Sequence, residues 1–163
     1  MTSCHTCELV ERRDVGDVPL WDSIYRTPYW DVVHCNSTSL LGWLVLVQRR
    51  HIAAIEEMSE AEAIELGKLI RQVSIVLTEL TGCIKTYVVQ FAEAPGHNHV
   101  HFHIIPRMPN QLDEHRGPGI FKQLGVSEAE RMSEVAMNEL AQKVRRYLER
   151  SGSLKCLDGV TLE

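Results

Sequence analysis

Between Gly96 and Arg107 the chain reads Gly-His-Asn-His-Val-His-Phe-His-Ile-Ile-Pro-Arg, and His99, His101 and His103 alternate there with Val100, Phe102 and Ile104. Side chains of a β-strand repeat with a period of two, so this segment as a strand sets three imidazoles on one face and three apolar groups on the other. The pattern commits the chain to a sheet with one face on a core. The other face is then free to carry chemistry. Three of the 8 histidines fall within these five residues, and His97 stands just ahead of them. Imidazole titrates near neutral pH and serves as nucleophile, acid, base or metal ligand. Such a row marks a site more readily than a solvated strand face, where histidines come singly.

Two chemistries compete for the row. His101 and His103, at i and i+2, can share one zinc ion. A catalytic zinc centre takes a third protein ligand and keeps one position open, and the sequence offers no obvious third partner. The other chemistry is nucleophilic or acid–base catalysis by the imidazoles themselves. A second metal signal lies at the N-terminus, where Cys4-His5-Thr6-Cys7 has the Cys-x₂-Cys spacing of half a zinc site. The other half must come from elsewhere in the chain. His5, His34 and Cys35 are possible contributors.

Bulk properties narrow the partners. At 163 residues the chain is expected to form one domain, residues 1–163, large enough for a real core. A net charge of −5 argues against general affinity for nucleic acid polymers or anionic membranes. It leaves room for a small anionic substrate, since imidazoles and Arg107 can oppose the global sign locally. No run of apolar residues is long enough to span a bilayer. The first residues lack the charged-then-apolar pattern of a secretory signal. Five cysteines, an odd number, with no such signal point to a reducing compartment, and a cytoplasmic location is expected.

The rest of the chain supplies the scaffold. Leu20 to Arg26 and Trp30 to Cys35 read as short strands split by Thr27-Pro28. Gly42 to Val47 is a continuous apolar run, the mark of a buried central strand. Ser59 and Glu62 form a capping box that opens a helix. Leu66, Ile70, Val73, Leu77 and Leu80 give that helix an apolar face, and Gly82 closes it. Ile84 to Phe91 reads as a strand, with the histidine segment as its neighbour. Residues 108–126 read as a loop. Ser127 and Glu130 repeat the capping-box pattern and predict a second helix, with Ala129, Met132, Ala136, Leu140, Val144 and Leu148 on its apolar face. Arg145, Arg146 and Arg150 read as a solvated helix end complementing the dipole. The tail after Ser151 carries no legible signal. These elements predict an α+β fold, an antiparallel sheet of about five strands carrying one long helix and a C-terminal helix. Its core spans about residues 4–110, with the helical extension over about 127–150.

His99-Val100-His101-Phe102-His103-Ile104-Ile105 resembles the signature of the histidine triad superfamily, His-φ-His-φ-His-φ-φ with φ apolar, at all seven positions. Upstream, Gly42-Trp43-Leu44-Val45-Leu46-Val47-Gln48-Arg49-Arg50-His51-Ile52 is similar to that family's glycine, strand and basic-His segment. The resemblance covers roughly residues 4 to 107. The chain departs from the pattern at Trp43, where the family carries a histidine belonging to the active-site surroundings. It departs again in the loop from Gln90 to His99, which is shorter than in several branches and holds His97-Asn98.

The resemblance implies a histidine triad fold, a homodimer and nucleotide chemistry. The expected activity is hydrolysis or nucleotidyl transfer at the α-phosphate of a small nucleotide ester, anhydride or phosphoramidate. Diadenosine polyphosphates and AMP conjugates are the substrate types it suggests. His101 matches the nucleophile that forms a covalent nucleotidyl-histidine. His103 is expected to meet a phosphate oxygen or the leaving group. Gln90 matches a position that contacts phosphate, and Asn36 one that holds the ribose hydroxyls. Several branches also carry a structural zinc, and the matching ligands here are Cys4, Cys7, His51 and His99. Two readings of another class stay open: a hydrolytic zinc enzyme ligated by His101 and His103, and a nucleotide-binding module without turnover.

Overall fold

The computed structural model describes residues 4–153. Five strands form one sheet: β1 Tyr25–Arg26, β2 Trp30–His34, β3 Leu44–Gln48, β4 Lys85–Val89 and β5 His101–Arg107, in the order β1-β2-β3-β5-β4. Every pairing is antiparallel. Among the described residues, three α-helices accompany it: α1 His5–Asp14, α2 Glu60–Thr81 and α3 Glu134–Ser153. The α+β architecture, a sheet of five strands, a long helix and a C-terminal helix are therefore those the sequence predicts, though not all of their bounds. Among the described residues, no helix is long and apolar enough to cross a membrane.

The sheet has two unlike faces. On one, Trp30, Val32, Leu44, Leu46, Phe102 and Ile104 pack under α2 and α3. On the other, Val33, Trp43, Val45, Val47 and Ile105 gather with Val10 of α1 and Ile120 of the 108–126 segment. β5 sits between β3 and β4, with Val45 opposite His103 and Val47 opposite His101. Period-two alternation along β5 thus sends Phe102 and Ile104 to the helix side and His101 and His103 to the valine side. His99 precedes the strand at a bend, held where the Val100 amide donates to the Ile52 carbonyl and the Val100 carbonyl accepts from the Gln48 amide.

α2 begins as its capping box dictates. The Glu62 amide donates to Ser59 Oγ, and the Ser59 amide donates to the Glu62 carboxylate. It ends at Gly82 with φ +70, a left-handed conformation that glycine adopts without strain. The buried stripe is Leu66, Leu69, Val73, Val76 and Leu77. It is rotated from the expected Ile70 and Leu80 toward α3, whose Leu140, Val144 and Leu148 complete this core. Gly42 has φ +89, and a Cβ there would meet Leu77, Thr81 and Pro106 at 3.2–3.4 Å. The glycine lets the start of β3 pass under the end of α2 while Trp43 turns to the opposite face.

Three expectations need correction, and one helix was not expected. Leu20–Asp22 is a short 3₁₀ turn rather than strand, because buried Arg13 grips the Asp22 carbonyl and carboxylate and Trp21 N–H donates to Asn138. The Ser127–Glu130 capping box opens only a 3₁₀ turn. The Met132 amide then donates to the Thr38 carbonyl, which pulls the chain out of helix, and α3 restarts with Ser133 Oγ accepting from the Ala136 amide. Ala129 and Met132 therefore lie ahead of the helix. Arg145 is not a solvated end: it donates to the backbone carbonyls of Ser23 and Ile24, fastening α3 to the start of the sheet. Finally, α1 itself had no counterpart in the sequence reading. Its apolar periodicity is weak, and it is held by Val10 and by the buried Arg13–Asp22 pair instead. The tail after Ser151 lies mostly outside the described residues.

Candidate functional site

A cleft of about 210 Å³ opens over the valine side of the sheet. Val33, Val45 and Val47 form its floor, His97, His101 and His103 one wall, and Thr6, Leu9 and Arg13 of α1 another. Asn36, exposed just beyond β2, stands at the rim. The floor suits a flat apolar group, and the histidine wall suits an anion. A mostly apolar concavity with a few convergent polar groups has the character of a small-molecule site.

The two strand histidines are held in different tautomers. His101 Nδ1 lies 2.7 Å from the His99 carbonyl. A carbonyl only accepts, so Nδ1 carries the proton and Nε2 keeps its lone pair. His103 is fixed through the same nitrogen by a partner of the opposite kind: Trp43 Nε1 donates to His103 Nδ1 at 2.9 Å. Its proton therefore sits on Nε2. Burial, with His101 nearby adding to it, pushes His103 down to about 4, so it is neutral at physiological pH. The two rings meet edge to face, 5.1 Å apart. His97 completes the wall, with Nδ1 3.0 Å from the Thr6 hydroxyl of α1. Its basicity is lowered by burial and then by His5 and His101.

At one end of this strand Cys4, Cys7, His51 and His99 converge, each offering one donor atom, and all four atoms lie within 4.8 Å of one another. His99 Nδ1 is 3.6 Å from Cys4 Sγ, 3.5 Å from Cys7 Sγ and 3.4 Å from His51 Nδ1. Zinc–sulfur and zinc–nitrogen bond lengths in a tetrahedron put neighbouring donor atoms roughly 3.3–3.8 Å apart, so the spacing fits that ion. The chemistry fits as well. His99 Nε2 donates to the Gln48 carbonyl at 2.6 Å, which leaves Nδ1 free of a proton and aimed at the other three donors. Burial, reinforced by Cys4, raises the Cys7 thiol to about 11. The protein alone thus disfavours a thiolate here, and a cation has to supply the charge that draws the proton off. The set is closed, with no open coordination position, so a metal here serves structure.

The Gln48 carbonyl is itself well supported. Gln48 Nε2 donates to Glu62 at 2.7 Å, and Arg50 donates to both oxygens of the same carboxylate. The Arg50 bonds, against the cost of burial, hold the Glu62 carboxyl down at about 2. The cap of α2 and the corner that binds His99 are in this way one hydrogen-bonded unit.

Comparison with solved structures places this architecture. A hypothetical histidine triad nucleotide-binding protein from Sulfolobus tokodaii superposes with a TM-score of 0.65 at 16% identity, covering 88% of this chain and 93% of its own. A zinc-bound histidine triad family protein from Mycobacterium smegmatis gives 0.63 at 15% identity, over 93% of this chain and 97% of its own. The fold is that of the histidine triad proteins. The diadenosine triphosphate hydrolase of Plasmodium falciparum shares it at a TM-score of 0.58 and 19% identity, over 78% of this chain and 76% of its own. No protein-family model and no curated protein matches the sequence.

Within this histidine triad fold, the residues singled out from sequence fall into three groups. Cys4, Cys7, His51 and His99 come together at the corner, and His101, His103 and Asn36 share the cleft. His5, His34 and Cys35, the other possible ligands, do not join the corner: His34 and Cys35 border the cleft, with the His34 ring buried between the Cys35 carbonyl and the Gly42 amide. Gln90 follows β4, half-buried, and is not among the residues lining the cleft. The sequence reading missed the α1 wall, Thr6, Leu9 and Arg13. The Cys-x₂-Cys spacing was the available clue, since three residues are nearly one helical turn and place both thiols on one side of a helix start.

Proposed function

We propose that this protein is a nucleotide hydrolase or nucleotidyl transferase of the histidine triad type, acting at an α-phosphate through a covalent nucleotidyl-His101. One observation carries the reading. The His101 Nδ1–H is tied to the His99 carbonyl, so an unprotonated Nε2 is available in a cleft with an apolar floor. That nitrogen forms a bond to phosphorus as the leaving group departs with its electron pair. Water then attacks phosphorus, the P–N bond breaks back onto Nε2, and the proton of the water passes to solvent. His103 Nε2–H donates to phosphate or leaving-group oxygen and stabilises the charge that gathers there. Val33, Val45 and Val47 seat the base or ribose, and Asn36 at the rim meets the ribose hydroxyls. Gln90 would reach phosphate only by a shift of the loop after β4.

Diadenosine polyphosphates and AMP conjugates are the substrates this reading favours, and the diadenosine triphosphate hydrolase neighbour supports it. A structural zinc on Cys4, Cys7, His51 and His99 fits the donor spacing, and the zinc-bound neighbour supports that assignment. Zinc pins the start of α1 and orients the strand that bears His101. A homodimer in the cytoplasm is part of the same reading. β4 is an edge strand with Val88 exposed on it and Ile84 exposed just before it, the kind of edge a second copy covers.

The alternative of a catalytic zinc on His101 and His103 gains no support. Among the described residues, the group at Cys4, Cys7, His51 and His99 is the one cluster of three or more candidate ligands. The test is intact-mass analysis of the protein quenched during turnover of a diadenosine polyphosphate. A nucleoside monophosphate adduct that disappears in His101→Ala supports the reading. Binding without adduct or turnover would leave a nucleotide-binding module instead.

A further inference from the structure

Trp43 stands where the resemblance leads one to expect a histidine, and it is completely buried against the chemistry rather than filling space at a distance. Its Nε1–H donates to His103 Nδ1 at 2.9 Å, with the two rings nearly perpendicular and 5.8 Å apart. Phe121 packs edge-on against both rings. An indole N–H donates and never accepts. His103 Nδ1 must therefore hold a lone pair, and the neutral ring carries its proton on Nε2. To become an imidazolium, His103 would need a second proton on Nδ1, pointing straight at the Trp43 hydrogen. A histidine at position 43 would impose no such limit, since its nitrogen can either donate or accept.

We propose that Trp43 is a positioning residue that locks His103 as a neutral Nε2–H hydrogen-bond donor, and that the site in consequence takes nucleotide substrates whose leaving group departs as an oxyanion. The proposal rests on the nucleotidyl-transfer reading above. In a phosphoanhydride, His101 Nε2 forms the P–N bond, the bridging P–O bond breaks, and its electron pair leaves on a phosphate oxygen that is a stable anion at neutral pH. No proton is required, and a fixed Nε2–H donor gives all the help that oxygen can use. In a phosphoramidate the breaking bond is P–N to an amine. Its electron pair cannot leave on nitrogen unless an acid supplies a proton at the same time. A neutral imidazole held by Trp43 is not that acid. The leaving-group class is thus set from behind His103, by a side chain that does not touch substrate.

The experiment has two independent readings, both on the zinc-loaded 163-residue chain. Long-range proton–nitrogen NMR on histidine-labelled protein reports which ring nitrogen of His103 is protonated. A protonated Nε2 with an acceptor Nδ1, persisting as pH is lowered toward 5, is expected; a proton on Nδ1 overturns the proposal. In kinetics, kcat/KM for a diadenosine polyphosphate should exceed that for an AMP phosphoramidate of a simple alkylamine by about 10²-fold or more, the usual size of one acid–base contribution. Equal values overturn the substrate half. Trp43→His should cut this preference at least tenfold by raising relative turnover of the phosphoramidate, a change that mere loosening of the core would not produce. An unchanged preference in folded Trp43→His counts against the proposal. If that variant fails to fold, the NMR and kinetic readings on the unaltered chain still decide. If neither substrate is turned over, the nucleotidyl-transfer reading falls and the substrate half with it, while the tautomer of His103 still judges the positioning role.

Discussion

The zinc-compatible corner and the cleft stand two residues apart on one stretch of chain, and both are built from histidine, yet they present opposite nitrogens. At the corner, His99 gives its Nε2–H to the Gln48 carbonyl and turns Nδ1 toward Cys4, Cys7 and His51. In the cleft, His101 gives its Nδ1–H to the His99 carbonyl and keeps Nε2 free. One backbone carbonyl in each case decides which nitrogen is left with a lone pair, and so whether the residue is suited to a metal or to phosphorus. His103 shows a third arrangement, with a side-chain donor in the place of the carbonyl and a proton left facing outward. Residue type creates the capacity, and the partner on the far nitrogen assigns it.

Substitutions can test this division directly. His101→Ala should abolish turnover, by on the order of 10⁴-fold or more as for other single nucleophiles. Zinc content and melting temperature should stay near those of the parent, since His101 belongs to neither the corner nor the core. Loss of zinc in that variant, measured by elemental analysis, would merge the two regions. Cys4→Ser with Cys7→Ser should do the reverse. Zinc should fall from about one per chain to none, with several kcal/mol of stability lost in denaturant titrations. Because α1 carries both the thiols and one wall of the cleft, nucleotide KM should rise as well. An unaltered KM in the zinc-free protein would show the cleft to be independent of the corner.

His103→Ala comes next in size. It should lower kcat by about 10²-fold, the range for one preorganised donor, without changing zinc content. The smallest effect concerns His34, which borders the cleft from β2 but stands outside the row of His101 and His103. Its buried ring accepts from the Gly42 amide, and burial holds it down at about 4. An unfolded histidine takes up its proton near 6.5, so the unfolded state binds more protons between these values. Stability is then greatest above pH 6.5 and declines as pH falls toward 4. His34→Gln should flatten that slope in thermal melts over the same window. A slope that survives the substitution would assign the acid sensitivity to the other histidines lowered in the same direction, His97, His99 and His103.

Much of this was legible in the linear chain. The alternation from His99 to Ile104 fixed the faces of β5, because a strand has no other way to arrange a period of two. The Ser59–Glu62 box and Gly82 marked both ends of α2, since caps are satisfied by neighbours in sequence. The Cys4-x₂-Cys7 pair and the matched segments around Gly42 and His99 together named the four residues of the corner before any distance was known. Other features had no local signature. The 3₁₀ turn at Leu20–Asp22 and the delayed start of α3 are set by Arg13, Asn138 and Thr38, whose partners lie 9 to 117 residues away in the chain. The α1 wall has too weak an apolar stripe to announce itself. The tautomers are the clearest case. A sequence states that positions 99, 101 and 103 are histidine, and their spacing puts them on one side of a strand. Which nitrogen each presents depends on a carbonyl or an indole brought to the ring by folding, and only the tertiary structure supplies that partner, because hydrogen-bond direction is a property of two groups in space and not of one residue in a list.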